Sequence, residues 1–101
     1  MKVYEAVLDQ LAGAGVEYFA GMVGSTSAPY VATLAKRNDI RYVAVRHEQT
    51  AAAMMEATAR LSGVPGCVMV HGASGLLAAS AGIASTALDS TPMFVLSATQ
   101  E

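Results

Sequence analysis

Between Arg60 and Asp89 the chain carries no charged residue at all. Twelve of its fourteen charges lie from Lys2 to Arg60, and only Asp89 and Glu101 follow the gap. A charge-free stretch of this length is either a membrane span or the interior of a sheet covered on both faces. A span needs about 20 predominantly apolar residues, mostly Leu, Ile, Phe and Val. Here Pro65, His71, several serines and Gly63, Gly66, Gly72, Gly75 and Gly82 interrupt the run. Gly63-Val64-Pro65-Gly66 and Gly72-Ala73-Ser74-Gly75 divide it into pieces the size of strands and helices in a globular domain. The opening residues do not have the pattern of a signal peptide, because Glu5 and Asp9 stand where an apolar segment is required. The expectation is a globular, cytoplasmic chain with no membrane partner.

Composition narrows the function classes. The 101 residues allow one small domain. With 53% hydrophobic residues and a net charge of -2, the chain has too much apolar material to remain disordered. Six Lys and Arg against eight Asp and Glu leave no basic face for nucleic acid. The single Cys67 excludes an internal disulfide and any multi-cysteine zinc site.

The hydrophobic pattern alternates between helical and strand-like segments. Val3, Ala6, Val7, Leu8 and Leu11 recur at helical spacing until Gly13-Ala14-Gly15. Tyr18-Phe19-Ala20-Gly21 is a short strand. Ser27 is placed to cap a second helix, with Pro29 in its first turn, running to about Arg37. Arg41 to Val45 forms a second strand, and Glu48 to Leu61 a helix ended by Ser62-Gly63. Cys67-Val68-Met69-Val70 is a third strand, followed by a Gly-Ser loop and a helix from about Leu76 to Leu88. Met93-Phe94-Val95-Leu96 is the fourth strand. Short apolar strands alternating with helices imply βαβ units: an α/β fold with three α/β/α layers and a mostly parallel sheet. Met54, Met55 and Met69 read as core filler, and Cys67 as a small buried hydrophobe.

In such a sheet ligands gather at the carboxyl ends of the strands. Four segments lie there: Gly21 to Thr26, Arg46 to Gln49, His71 to Gly75, and Ser97 to Gln100. Gly21 to Thr26 sits between strand and helix like a phosphate loop, yet lacks the Lys of a P-loop and the third Gly of a dinucleotide fingerprint. The competing reading is a tight turn. His47-Glu48 starts like a zincin motif, but Ala51 occupies the second His position. Glu48 alternatively does no more than stabilise the first turn of its helix. His71 to Gly75 approximates a nucleophile elbow, but Leu76 replaces the final Gly and His47 precedes the Ser.

Taken in order, these junctions resemble one family. Arg46-His47-Glu48-Gln49-Thr50-Ala51 is similar to R-H-E-x-x-A. Ala59-Arg60 with Gly63, then Val64-Pro65-Gly66 and an apolar strand, is similar to A-R-x-x-G followed by x-P-G. Asp89-Ser90-Thr91-Pro92 matches the next landmark. Gly15-Val16-Glu17 through Gly24-Ser25 matches the opening G-V-x-x-x-F-G-x-P-G, with Val23 in place of Pro. The chain thus resembles the pyrimidine-binding (Pyr) domain of thiamine-diphosphate enzymes of the acetolactate synthase and 2-oxo-acid decarboxylase family.

The resemblance implies thiamine diphosphate as cofactor and Glu48 as the family's catalytic glutamate. In that family this glutamate hydrogen-bonds N1′ of the aminopyrimidine and favours its 4′-imino form, whose nitrogen takes the C2 proton of the thiazolium. It also implies Val23, Gly24 and Gly75 around the cofactor. Ser25 and His71 match substrate-site positions of benzoylformate decarboxylase, His71 there acting in proton transfer. Mg²⁺ and the diphosphate are held in that family by a separate PP domain with G-D-G and an asparagine, which this chain does not contain, so no metal ligand is expected here. The Pyr domain of the family is longer than this chain, so residues 1–101 are expected to be its first part, inactive alone. The implied partners are the PP domain of a neighbouring subunit in a homodimer or homotetramer, and a small 2-oxo acid.

Departures bear on the substrate. Where the family often reads G-P-G-x-x-N, this chain has Ala73-Ser74-Gly75-Leu76-Leu77-Ala78. For G-Q it has Ala98-Thr99, with Gln100 one place later. The Gly75-Leu76-Leu77 stretch leans toward oxalyl-CoA decarboxylase and hydroxyacyl-CoA lyase. Two alternatives stay open: a CoA-thioester lyase or decarboxylase of the same family, and a non-catalytic interaction or regulatory module on the same fold.

Overall fold

The computed structural model describes residues 1–99. Nine elements follow in order: α1 (Val3–Gly13), β1 (Tyr18–Gly21), α2 (Ala28–Leu34), β2 (Arg41–Ala44), α3 (Glu48–Ser62), β3 (Gly66–His71), α4 (Gly72–Ala78), α5 (Ser80–Leu88) and β4 (Met93–Ala98). The four strands form one sheet in the order β2-β1-β3-β4, and every pairing is parallel. The α/β expectation therefore holds. Among the described residues no helix is long and apolar enough to cross a membrane.

Alternation along each strand divides the core in two, because successive side chains point to opposite faces. Phe19, Cys67 and Met69 turn to one face, where they meet Leu8 and Leu11 of α1, Leu34 of α2, Val16 and Ile40. Ala20, Val68 and Val70 turn to the other, against Ala51, Ala52 and Met55 of α3, and Ala79. These are the three layers. The charge-free stretch supplies the sheet's centre, since β3 is buried from Gly66 to Val70. Burial pushes the Cys67 thiol up to about 12, which keeps it a neutral hydrophobe.

Besides the second helix ending at Leu34 rather than near Arg37, three local readings differ from the structure. Met54 is 37% exposed rather than core, while Met55 and Met69 are buried. Ser27 does sit at the N-cap position of α2, but its side chain makes no cap bond to that helix. It accepts from the Gly24 N–H at 2.8 Å and donates to the Met22 carbonyl at 3.0 Å, tying the preceding loop together. The third difference is the predicted helix from Leu76, which begins four residues earlier and breaks at Ala79. The Gly82 N–H there bonds the Gln49 side chain of α3 at 2.9 Å. A side-chain acceptor entering the backbone ladder is a recognised cause of a helix break. Gly82 permits it, because a Cβ there would lie 2.6 Å from the Ala52 Cβ.

Candidate functional site

The chain leaves β1 to build β2 on one side, then returns through α3 to lay β3 on the other. The carboxyl ends of β1 and β3 are therefore a topological switch point, the place where open α/β sheets form a ligand crevice between diverging loops. Three segments meet there: the loop after β1, the start of α3, and the β3–α4 junction.

The end of β1 is held tightly. The Gly21 carbonyl accepts from the Tyr42 hydroxyl at 3.0 Å and from the Val45 N–H at 3.0 Å. A Cβ on Gly21 would stand 2.6 Å from the Met69 carbonyl oxygen, so only glycine lets the two strand ends approach this closely. Beyond it, Val23 is 63% exposed and Ser25 is exposed as well. Gly24 faces the His71 ring, its Cβ position only 3.5 Å from Nδ1. Thr26 Oγ1 lies 2.7 Å from that same Nδ1. A phosphate-cradling role for Gly21 to Thr26 loses one of its backbone donors here, since the Gly24 N–H is already taken by Ser27.

Glu48 is the first residue of α3. His47 caps the helix, its Nδ1 accepting from the Gln49 N–H at 3.0 Å. The helix N-terminus favours the Glu48 negative charge. The carboxylate is half-buried, and among the described residues it has neither a hydrogen bond nor an ion pair. Across from it stands Gly75, buried in α4, whose Cβ position is 3.7 Å from Glu48 Oε1 and 3.3 Å from the Val70 Cβ. Any larger residue at Gly75 would crowd the carboxylate.

The structure thus makes two contacts of the sequence-selected residues. Gly24 and His71 form one, Glu48 and Gly75 the other, and β3 joins them through adjacent Val70 and His71. Val23 and Ser25 stay at the rim. Gln100 lies outside the described residues. Thr26 and Gln49 were named by sequence only as the last residues of two candidate segments, with no role of their own. Thr26 belongs to a hydroxyl run, Ser25-Thr26-Ser27, directly after the loop glycine, and Gln49 adjoins Glu48; no periodicity distinguishes either. Among the described residues no cluster of three His, Cys, Asp or Glu side chains could hold a metal ion. What the crevice offers is an unpaired carboxylate, an imidazole and hydroxyls, with glycines opposite them: groups suited to a polar ring or a carboxylate, and able to hold a proton.

Residues 1–101 match the family model described as "Thiamine pyrophosphate enzyme, N-terminal TPP binding domain". Over 93 residues the chain is 36% identical to the acetolactate synthase large subunit of Haemophilus influenzae, covering 92% of this chain and 16% of that protein. It is 33% identical over 86 residues to 2-hydroxyacyl-CoA lyase 1 of Mus musculus, covering 85% of this chain and 15% of that one. Its fold superposes with a TM-score of 0.88 and 25% identity on the thiamine diphosphate-dependent 4-hydroxybenzoylformate decarboxylase of Rhodococcus jostii RHA1, covering 99% of this chain and 19% of the other. The chain therefore spans about one sixth of the length of the curated relatives it matches.

Proposed function

The chain belongs to the thiamine pyrophosphate enzymes, as their N-terminal TPP binding domain, and on that premise we propose that it binds the aminopyrimidine end of thiamine diphosphate, with Glu48 as the group that holds a proton at the ring nitrogen. The observation that carries the proposal is Glu48 itself: half-buried at the switch point, without a hydrogen bond or ion pair among the described residues, and faced by Gly75. A carboxylate kept free of ion pairs is able to share a proton with a weakly basic ring nitrogen. Thiamine diphosphate, once bound, supplies a carbanion nucleophile to a 2-oxo acid. Around it, Val23, Gly24 and Gly75 would shape the space for the ring, while Ser25 and His71 would face the substrate carboxylate.

In this reading residues 1–101 are the first part of a Pyr domain in a cytoplasmic decarboxylase or carboligase such as an acetolactate synthase, inactive by itself. Mg²⁺ and the diphosphate would be held by the PP domain of a neighbouring subunit in a homodimer or homotetramer. The outer edge of β4, unpaired among the described residues, and the exposed Leu61, Leu76, Leu77 and Leu88 support further covering elements. A second reading, a CoA-thioester lyase, is favoured by the likeness to 2-hydroxyacyl-CoA lyase 1 together with Gly75-Leu76-Leu77.

The test is the exchange of the C2 proton of bound thiamine diphosphate in the full-length protein. Glu48→Gln should slow it by about 100-fold or more, the range a positioned proton-transfer group contributes. Exchange as fast as in the unmutated protein would exclude the catalytic reading.

A further inference from the structure

We propose that Thr26 is a positioning residue that fixes the neutral His71 ring in its Nε2–H tautomer, so that His71 presents a hydrogen-bond donor to the crevice rather than a base. The observation behind it is the contact of 2.7 Å between Thr26 Oγ1 and His71 Nδ1, joining the loop after β1 to the end of β3. Two assignments of the proton are chemically available: the hydroxyl donates to Nδ1, or an Nδ1–H donates to the hydroxyl. Two features select the first, and a third shows which ring nitrogen is left to other partners.

The distance is one. At 2.7 Å the contact lies well inside the usual range for a hydroxyl donor and at the short limit of that for a neutral N–H donor. The single hydroxyl hydrogen is another. Among the described residues Thr26 has no other hydrogen bond, so Nδ1 is the one protein acceptor in place for that hydrogen. The third is the way the ring is held. Gly24 packs against the same edge, with its Cβ position 3.5 Å from Nδ1 and 3.6 Å from Cγ. The Nδ1 edge is therefore turned into the loop, and Nε2 is the nitrogen left to other partners.

His47 serves as an internal standard. Its Nδ1 accepts from a backbone N–H, a group that can only donate, so neutral His47 must carry its proton on Nε2. His71 reaches the same tautomer through a hydroxyl, which can either donate or accept. The constraint on His71 is thus removable by one substitution, and that on His47 is not. A ring locked as Nε2–H would favour an acceptor oxygen, such as the carboxylate or carbonyl of a 2-oxo acid. This consequence rests on the crevice being the site proposed above; the tautomer rests on the geometry alone.

The experiment is nitrogen-15 NMR of the full-length protein labelled at histidine, at a pH where the rings are neutral. His71 is identified by the signal lost in His71→Gln. We expect a pyridine-type Nδ1 and a pyrrole-type Nε2 for His71, the same pattern as His47. Thr26→Val should shift both His71 nitrogens toward the averaged position of a tautomer mixture, leave His47 unmoved, and be reversed in Thr26→Ser. A pyrrole-type Nδ1 in the unmutated protein overturns the proposal, as do His71 shifts unchanged by Thr26→Val in a protein whose backbone amide spectrum stays folded. Should Thr26→Val fail to fold, the unmutated and Thr26→Ser spectra decide, Nδ1–H in either being contradictory. Unchanged C2 exchange in Glu48→Gln alongside a locked His71 would overturn the reading of the crevice and support the tautomer.

Discussion

The two faces of the sheet are built on opposite terms. Under α1 and α2 the core consists of large side chains: Leu8, Leu11, Phe19, Leu34, Ile40 and Met69. Under α3, α4 and α5 it is made of Ala20, Ala51, Ala52, Ala79 and valines, with Met55 the largest. Burial of apolar area stabilises the first face. Close approach defines the second: Gly82 admits α3 to α5, and Gly66 lies under Met55 with no room for a Cβ. The site sits at the rim of the second face. Small residues there bring the start of α3 and the first turns of α4 together, so Glu48 finds a glycine opposite it instead of a side chain. One face supplies stability through volume, and the other supplies a crevice through proximity.

That contrast can be broken by unequal substitutions. Phe19→Ala should have the largest effect, costing about 3–5 kcal/mol, because it removes a fully buried ring that stacks on Tyr30. Denaturant unfolding measures it. Gly82→Val on the opposite face should cost about 1–3 kcal/mol by overpacking, since even a Cβ meets Ala52 at 2.6 Å. If Gly82→Val were neutral and Phe19→Ala mild, the division into a volume face and a proximity face would be wrong.

The smallest effect belongs to the exposed ion pairs. Arg37 bonds both Asp9 and Asp39 at 2.7 Å, and the Asp39 side chain is half exposed. The Arg37 guanidinium holds the Asp39 carboxyl down from 3.8 to about 2. A depressed carboxyl contributes stability that is present above its ordinary value and lost as pH falls through its folded one. Asp39→Asn should therefore cost under about 1 kcal/mol at neutral pH, and flatten the stability curve between pH 3.8 and about 2. Thermal melts across that window provide the check.

Much of the architecture was legible in the residues because strand-sized apolar runs and glycine punctuation follow local rules. Cys67 to Val70 could be little else than a central strand, and Arg46 to Ala51 placed Glu48 at a helix start. The boundaries of α4 and α5 were not legible. Gly72-Ala73-Ser74-Gly75 has the composition of a loop, yet it is the first turn of α4. The break at Ala79 depends on Gln49, 33 residues away, entering the ladder at Gly82. Met54 was misplaced for a related reason: adjacent methionines on one helix point in different directions, and only packing decides which is inside. The role of Thr26 within its candidate segment was invisible for the same cause, because its partner His71 lies 45 residues away.

The most direct measurement of the central claim is the affinity for thiamine diphosphate in two variants of the full-length protein, one on each face. Gly75→Val places a side chain against Glu48 and Val70 at the rim of the small-residue face, whereas Phe19→Leu trims the large-residue face. Titration calorimetry should find affinity reduced by about tenfold or more, equivalent to about 1.4 kcal/mol, in Gly75→Val, and unchanged in Phe19→Leu despite its lower melting temperature. Equal affinities in the two variants, or a loss confined to Phe19→Leu, would contradict the account.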